Sequence, residues 1–187
     1  MNATDTMLSE LEARRPGMSL DRKFYTDPEF HRIDLETIFY RDWLFAGHDC
    51  EIPAPGDYFT MQIGDYPIIV LRGRDGSIRA LHNSCRHRGS RICSAPRGAT
   101  KRLVCPYHQW TYDLDGSLIR ARQQDSKIDK AQAGLKPVRC ETAGGTSEKD
   151  RYATRRLVQD RDVELRVGVE VSHRDTDGIT GRRENGR

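Results

Sequence analysis

The chain has 187 residues, 32% of them charged, with a formal net charge of +3 and a mean hydropathy of −0.76, a length that suits one domain with a real core plus extensions. Acids and bases are interleaved, so the concentrated basic face that binds nucleic acid is missing, and no apolar run approaches the roughly 20 residues that span a bilayer. The opening MNATDTMLSELEARRPG lacks the apolar stretch of a secretory or twin-arginine signal, so the expectation is a cytoplasmic protein with neither a membrane nor a nucleic-acid partner.

In chain order, a short helix over Leu8–Arg14 ends at Pro16-Gly17. A longer helix is expected over Tyr25–Trp43, with Asp27 as N-cap and Pro28 at the first helical position. Leu35, Ile38, Phe39 and Trp43 recur on its helical period as a core-facing stripe. After Gly47 the pattern turns to strands: Asp57–Ile63, Tyr66–Arg72 and Ser77–Asn83, then Leu103–Cys105, Trp110–Asp113 and Ser117–Arg120. Gly64-Asp65, Asp75-Gly76 and Asp115-Gly116 supply the tight turns. Short strands and Gly-rich turns in this number indicate a mostly β fold, an antiparallel sandwich or partly open barrel.

Past Gly144-Gly145 the composition shifts, and from Thr146 to Arg187, 19 of 42 residues are charged and only Tyr152 is aromatic. Such a segment has little apolar surface to set against its ordering entropy. One stretch, residues 163–171, alternates like a half-buried strand. The expected organisation is a helical extension over 1–45, a β domain over 46–145 and an irregular charged tail over 146–187.

The five cysteines are Cys50, Cys85, Cys93, Cys105 and Cys140, an odd number that argues against a disulfide framework in a reducing compartment. Two clusters carry the chemistry: Cys85-Arg-His87 and Cys105-Pro-Tyr-His108, with 17 residues between them. Each follows a strand and offers one thiolate and one imidazole. Zinc accepts two Cys and two His, and so does a two-iron cluster with both sulfurs on one iron and both imidazoles on the other. Zinc fingers usually pair like with like along the chain, Cys with Cys and His with His. Here each loop brings one of each kind, which lets each loop bridge two irons.

Cys85-Arg-His87-Arg-Gly89-Ser90 and Cys105-Pro-Tyr-His108-Gln-Trp110 resemble the two cluster-binding boxes of Rieske proteins. The resemblance implies a Rieske-type [2Fe–2S] cluster held by Cys85, His87, Cys105 and His108. Respiratory Rieske proteins add a Cys to each box and form a disulfide between the loops. Ser90 and Tyr107 stand at those places here, which matches the oxygenase and ferredoxin branch. From Phe24 to Gly145 the chain is similar to the N-terminal part of Rieske non-haem iron oxygenase large subunits, closest to the quaternary-amine branch that includes glycine betaine and choline oxygenases. Phe39-Tyr-Arg-Asp-Trp43 and Gly47-His-Asp-Cys50 carry that likeness beside the two boxes. Within it, Gly89 lets backbone amides approach the sulfides, Pro106 restricts the second loop, and Trp110 shields the cluster from water.

The resemblance also implies a reductase or ferredoxin as electron donor, a homotrimer in the intact family, and a mononuclear Fe(II) held by two His and a carboxylate in a following domain. This sequence has no site for that iron, because His173 is the only histidine after Thr111 and two are needed. The loss of family pattern near Gly145 coincides with the jump in charge, so the expectation is a shifted reading frame. The rival is a genuine tail whose strand over 163–171 closes the sheet. The rival functions are a free-standing Rieske ferredoxin and a Cys₂His₂ structural zinc module. His31, His48 and His173 read as ordinary histidines, His82 as packing beside the first box, and Cys50, Cys93 and Cys140 as inert thiols. Arg86, Arg88 and Arg91 read as a solvated rim, or as a dock for an acidic electron donor.

Overall fold

The computed structural model describes residues 3–122, 124–143 and 166–170. Three helices come first: α1 (Ala3–Glu12), α2 (Lys23–Thr26) and α3 (Pro28–Asp34), the last running into a π-helical turn over Leu35–Phe39. Asp27 caps α3 as its sequence indicates, accepting the Glu29 amide at 2.8 Å, with Pro28 at the first turn. The single long helix expected over Tyr25–Trp43 is not formed. Asp27 is extended (φ −79°, ψ 121°), the conformation imposed on a residue before proline, and this separates α2 from α3.

The expected apolar stripe also fails beyond Leu35. Tyr40 donates its amide to Leu35 O at 2.9 Å, five residues back, and this wider turn rotates the register of everything after it. Phe30, Ile33 and Tyr40 become the buried residues, while Ile38, Phe39 and Trp43 stay exposed. Trp43 lies beyond the helix with the Arg139 guanidinium 4.9 Å from its ring centroid.

Ten strands follow. They are β1 (Leu44–His48), β2 (Asp57–Ile63), β3 (Tyr66–Arg72), β4 (Ile78–His82), β5 (Arg97–Ala99), β6 (Leu103–Val104), β7 (Thr111–Tyr112), β8 (Leu118–Arg120), β9 (Pro137–Ala143) and β10 (Arg166–Glu170). Seven form one antiparallel sheet in the order β1-β10-β9-β4-β3-β2-β5, and β6-β7-β8 form a small second sheet. Gly64-Asp65 makes the tight β2–β3 turn, with Ile63 opposite Tyr66. Gly64 has φ +52°, and the Tyr40 hydroxyl occupies the place a Cβ would take, so glycine is required there twice over.

Strand β3 is buried on both faces and so joins two cores. Ile68 and Val70 face Phe59, Ile52 and Tyr40 on the helical side. Ile69 and Leu71 face Leu81, Tyr112 and the two cluster-box cysteines on the side of the small sheet. At the far hairpin tips Arg74 pairs with Asp113 at 2.9 Å, tying the large sheet to the small one.

Strand β9 changes partners along its length. Pro137 and Val138 pair with Leu81 and Ala80 of β4, and Arg139 to Ala143 then pair with β10. β10 itself lies within the alternating stretch 163–171 and pairs on its other side with β1, Leu44 opposite Val169. The tail is therefore not irregular throughout. The remainder of 146–187, including His173 and the expected change of frame, lies outside the described residues.

Candidate functional site

Two loops carry the paired Cys and His residues, one from each sheet. The first follows β4, and the second connects β6 to β7. Their chemistry-bearing motifs differ in spacing, Cys-x-His against Cys-x-x-His, yet their backbones close in the same way. The Cys85 amide donates to Ser90 O at 2.9 Å and the Cys105 amide to Trp110 O at 2.9 Å. In return the Gly89 amide donates to Cys85 O at 2.8 Å and the Gln109 amide to Cys105 O at 3.0 Å. The residue four after each cysteine must turn with positive φ: Gly89 at +71° and Gln109 at +59°. Glycine does so freely. Gln109 is the one described non-glycine residue that adopts this conformation.

Asn83 staples the first loop. Fully buried at 1% exposure, it accepts the amides of Ile92 and Cys93 on Oδ1 at 3.0 and 2.9 Å. Its Nδ2 donates to Cys93 O at 2.7 Å. One side chain thus joins the start of the loop to its end. Tyr112 ties the two loops together: from β7 its hydroxyl lies 3.2 Å from Cys85 Sγ and accepts the Arg86 amide at 3.1 Å.

The four donors sort by kind, across the loops. The Cys85 and Cys105 thiols are neighbours in the apolar core. The His87 and His108 rings meet nearer the surface, with centroids 4.7 Å apart and planes at 73°. The Nδ1 atoms of both histidines are buried and have no hydrogen-bond partner, which in a folded protein signals an absent ligand. A pair of thiols and a pair of imidazoles, each drawn from both loops, offers two like ligands to each metal of a binuclear group.

The electrostatics agree. Burial pushes the Cys85 thiol above its ordinary value, and the neighbouring Cys105 adds to this. Burial lowers His87, with His108 and Arg88 reinforcing the effect. A bare Cys85 thiolate is therefore disfavoured, while a neutral His87 imidazole is favoured. A bound metal group supplies the positive charge that such thiolates lack and takes the lone pair that a neutral imidazole offers.

The other candidates fall outside this set. His31 is exposed, and His82 is buried edge-on against Tyr66 at 5.9 Å. Cys50 is exposed, Cys140 half-buried, and Cys93 bonds to Tyr58 within the core. Arg88 and Arg91 are exposed beside the loops, and Arg86 is partly buried. The sequence pointed to none of Asn83, Tyr112 or Gln109 as functional. Asn83 stands two residues before the first box and Tyr112 two after the second, and a polar residue two before the first Cys was the only available signal.

The family description Rieske [2Fe-2S] domain matches residues 42–139. The chain is similar to the glycine betaine monooxygenase oxygenase subunit of Pseudomonas aeruginosa, 48% identical over 136 residues, which is 72% of this chain and 32% of that protein. The subunit of the same description from Chromohalobacter salexigens is 51% identical over 144 residues, 76% of this chain and 32% of that one. The chain thus spans about a third of the length of the curated relatives it matches. Among solved structures, naphthalene 1,2-dioxygenase from Rhodococcus sp. superposes with a TM-score of 0.69 at 29% identity, over 93% of this chain and 37% of that one. A quaternary ammonium Rieske monooxygenase in complex with L-carnitine gives a TM-score of 0.63 at 28% identity, over 81% and 38%.

Proposed function

Because this chain belongs to the Rieske [2Fe–2S] domain family, we propose that it is the electron-transfer module of an oxygenase large subunit and that Cys85, His87, Cys105 and His108 hold its cluster. In this reading the thiolates of Cys85 and Cys105 would hold one iron, and the imidazoles of His87 and His108 would hold the other. The observation that carries it is the pair of buried, unpartnered Nδ1 atoms on the same two loops as a pair of buried thiols. When bound, the cluster supplies reversible one-electron chemistry at a potential raised by its neutral ligands. The chain's own residues do the rest: Asn83 shapes the first loop, Tyr112 bonds to Cys85, and the apolar core excludes water from both sulfurs.

The domain division follows from the same reading, with a helical extension over 1–45, the cluster domain over 46–145 and the tail over 146–187. The substrate side belongs to the part of the relatives that this chain does not span. The betaine-oxidising relatives favour a quaternary amine as substrate, hydroxylated or demethylated at a mononuclear Fe(II), in a cytoplasmic homotrimer. The electron donor is a reductase or ferredoxin. Arg88 and Arg91 beside the loops suit an acidic donor, since neither has an ion-pair partner among the described residues. Arg88→Glu is expected to slow reduction by such a donor several-fold at low salt and much less at high salt, as stopped-flow traces would record.

Metal and sulfide analysis of anaerobically purified protein tests the main reading. Two irons and two acid-labile sulfides per chain are expected, by the stoichiometry of the cluster. The dithionite-reduced sample should give a rhombic EPR signal with an average g below the free-electron value. One zinc and no sulfide would establish the structural module instead. Tyr112→Phe is expected to retain the cluster with a potential lowered by about 40 mV. A hydrogen bond to a thiolate favours the more negative, reduced state, here by about 1 kcal/mol, and redox titration reads the change. The free-standing carrier has one observation in its favour: β10 fills the sheet between β1 and β9 with residues of this chain.

A further inference from the structure

We infer that Trp110 is a positioning residue for His87, its indole fixing the plane in which that imidazole presents Nδ1; the inference rests on the reading of His87 as a ligand. The two side chains come from different loops. Their rings are stacked, 4.9 Å between centroids and 10° between planes. Trp110 is only 3% exposed, so the contact is dry.

The other imidazole is treated differently. His108 is crossed by its chain neighbour Tyr107 at 3.8 Å and 35°, and Tyr107 is 60% exposed. Only His87 has a buried, coplanar partner reaching over from the opposite loop. The second side-chain torsion of histidine is broad, and His87 Nδ1 has no hydrogen bond to restrain the ring. The stack therefore supplies the orientation.

The backbone is arranged to deliver the indole. Gln109, between His108 and Trp110, adopts φ +59°, an unfavourable state for a residue with a Cβ. It is held there by its amide bond to Cys105 O, by the Thr111 hydroxyl on its carbonyl at 3.2 Å, and by Arg122 on its side-chain oxygen. This reversal lets Trp110 O accept the Cys105 amide while the side chain crosses to the first loop. Trp110 Nε1 is itself buried with no partner. A phenyl ring would strand no donor, so what the indole adds is its broad flat surface against the imidazole.

The test compares Trp110→Leu, Trp110→Phe and Tyr107→Leu in the cluster-loaded chain. Pulsed EPR of the reduced protein resolves the nitrogen couplings of the two histidines. In Trp110→Leu one coupling should shift or broaden while the other holds, and chelator should strip iron up to about tenfold faster, the scale of an aromatic pair. Trp110→Phe should restore most of both properties, and Tyr107→Leu should leave the first coupling alone. A Trp110→Leu protein that melts earlier with both couplings unchanged would reduce Trp110 to packing and overturn the inference. Equal movement of both couplings would overturn it too. If Trp110→Leu does not fold, Trp110→Phe decides: a small change confined to one coupling supports the inference, and none overturns it. Wild-type protein with a cluster but without two histidine nitrogens would sink the ligand reading itself, a result distinct from all of these.

Discussion

Cys105→Ser is expected to give a folded chain that binds no cluster, colourless and silent in EPR after anaerobic reconstitution. Cys105 is 1% exposed and lies in the apolar core beside Cys85. In the proposed reading a thiolate there would be tolerable because iron would take its charge. A serine hydroxyl does not ionise under the same conditions, and it leaves the inner position with a single sulfur. The loop survives, since its closure runs through the Cys105 amide and carbonyl. Cys50→Ser is the control: Cys50 is exposed, and its variant should retain full iron and sulfide. Iron retained at wild-type level in Cys105→Ser would remove this residue from the ligand set.

Asn83→Ala should produce the largest loss of stability among the residues around the site, about 3–5 kcal/mol from three buried partners left unpaired at roughly 1–3 kcal/mol each. Ile92 and Cys93 would keep amides with no acceptor, and Cys93 a carbonyl with no donor. Set against a typical total of about 5–15 kcal/mol, this is a severe defect, and denaturant titration of the cluster-free chain measures it. Asn83→Asp separates the terms. It keeps both acceptor bonds but turns the donor facing Cys93 O into a second acceptor, so an intermediate loss is expected. A loss below about 1 kcal/mol in Asn83→Ala, the net value of one ordinary hydrogen bond, would show that the loop is held elsewhere.

The site was legible wherever the chemistry needs a particular side chain. Thiols and imidazoles at Cys-x-His and Cys-x-x-His spacing have few alternative uses, and strands β2 and β3 matched residue for residue because their turn residues and β-branched runs agree. What escaped was set by contacts remote in sequence. The helical stripe through Trp43 followed a regular period, whereas the π-turn at Leu35–Phe39 changed that period to bury Tyr40 beneath Gly64. Strand β5 has the sequence Arg-Gly-Ala and is exposed throughout. Only its pairing with β2 makes it a strand. Gln109 gave no sign of its left-handed backbone, since glutamine has no preference for it. Its equivalence to Gly89 emerges only when the two loops are compared in space.

The placing of β10 bears on how the molecule is made. Leu44 and Val169 are neighbours in the sheet yet lie far apart along the chain, and joining such distant segments is slow because the loop between them must close first. During synthesis β1, whose partner among the described residues is β10, waits unpaired until β10 has left the ribosome. Newly made protein is then at its most prone to stick to itself, and expression at lower temperature or with a chaperone should raise the soluble yield more than any change at the cluster loops.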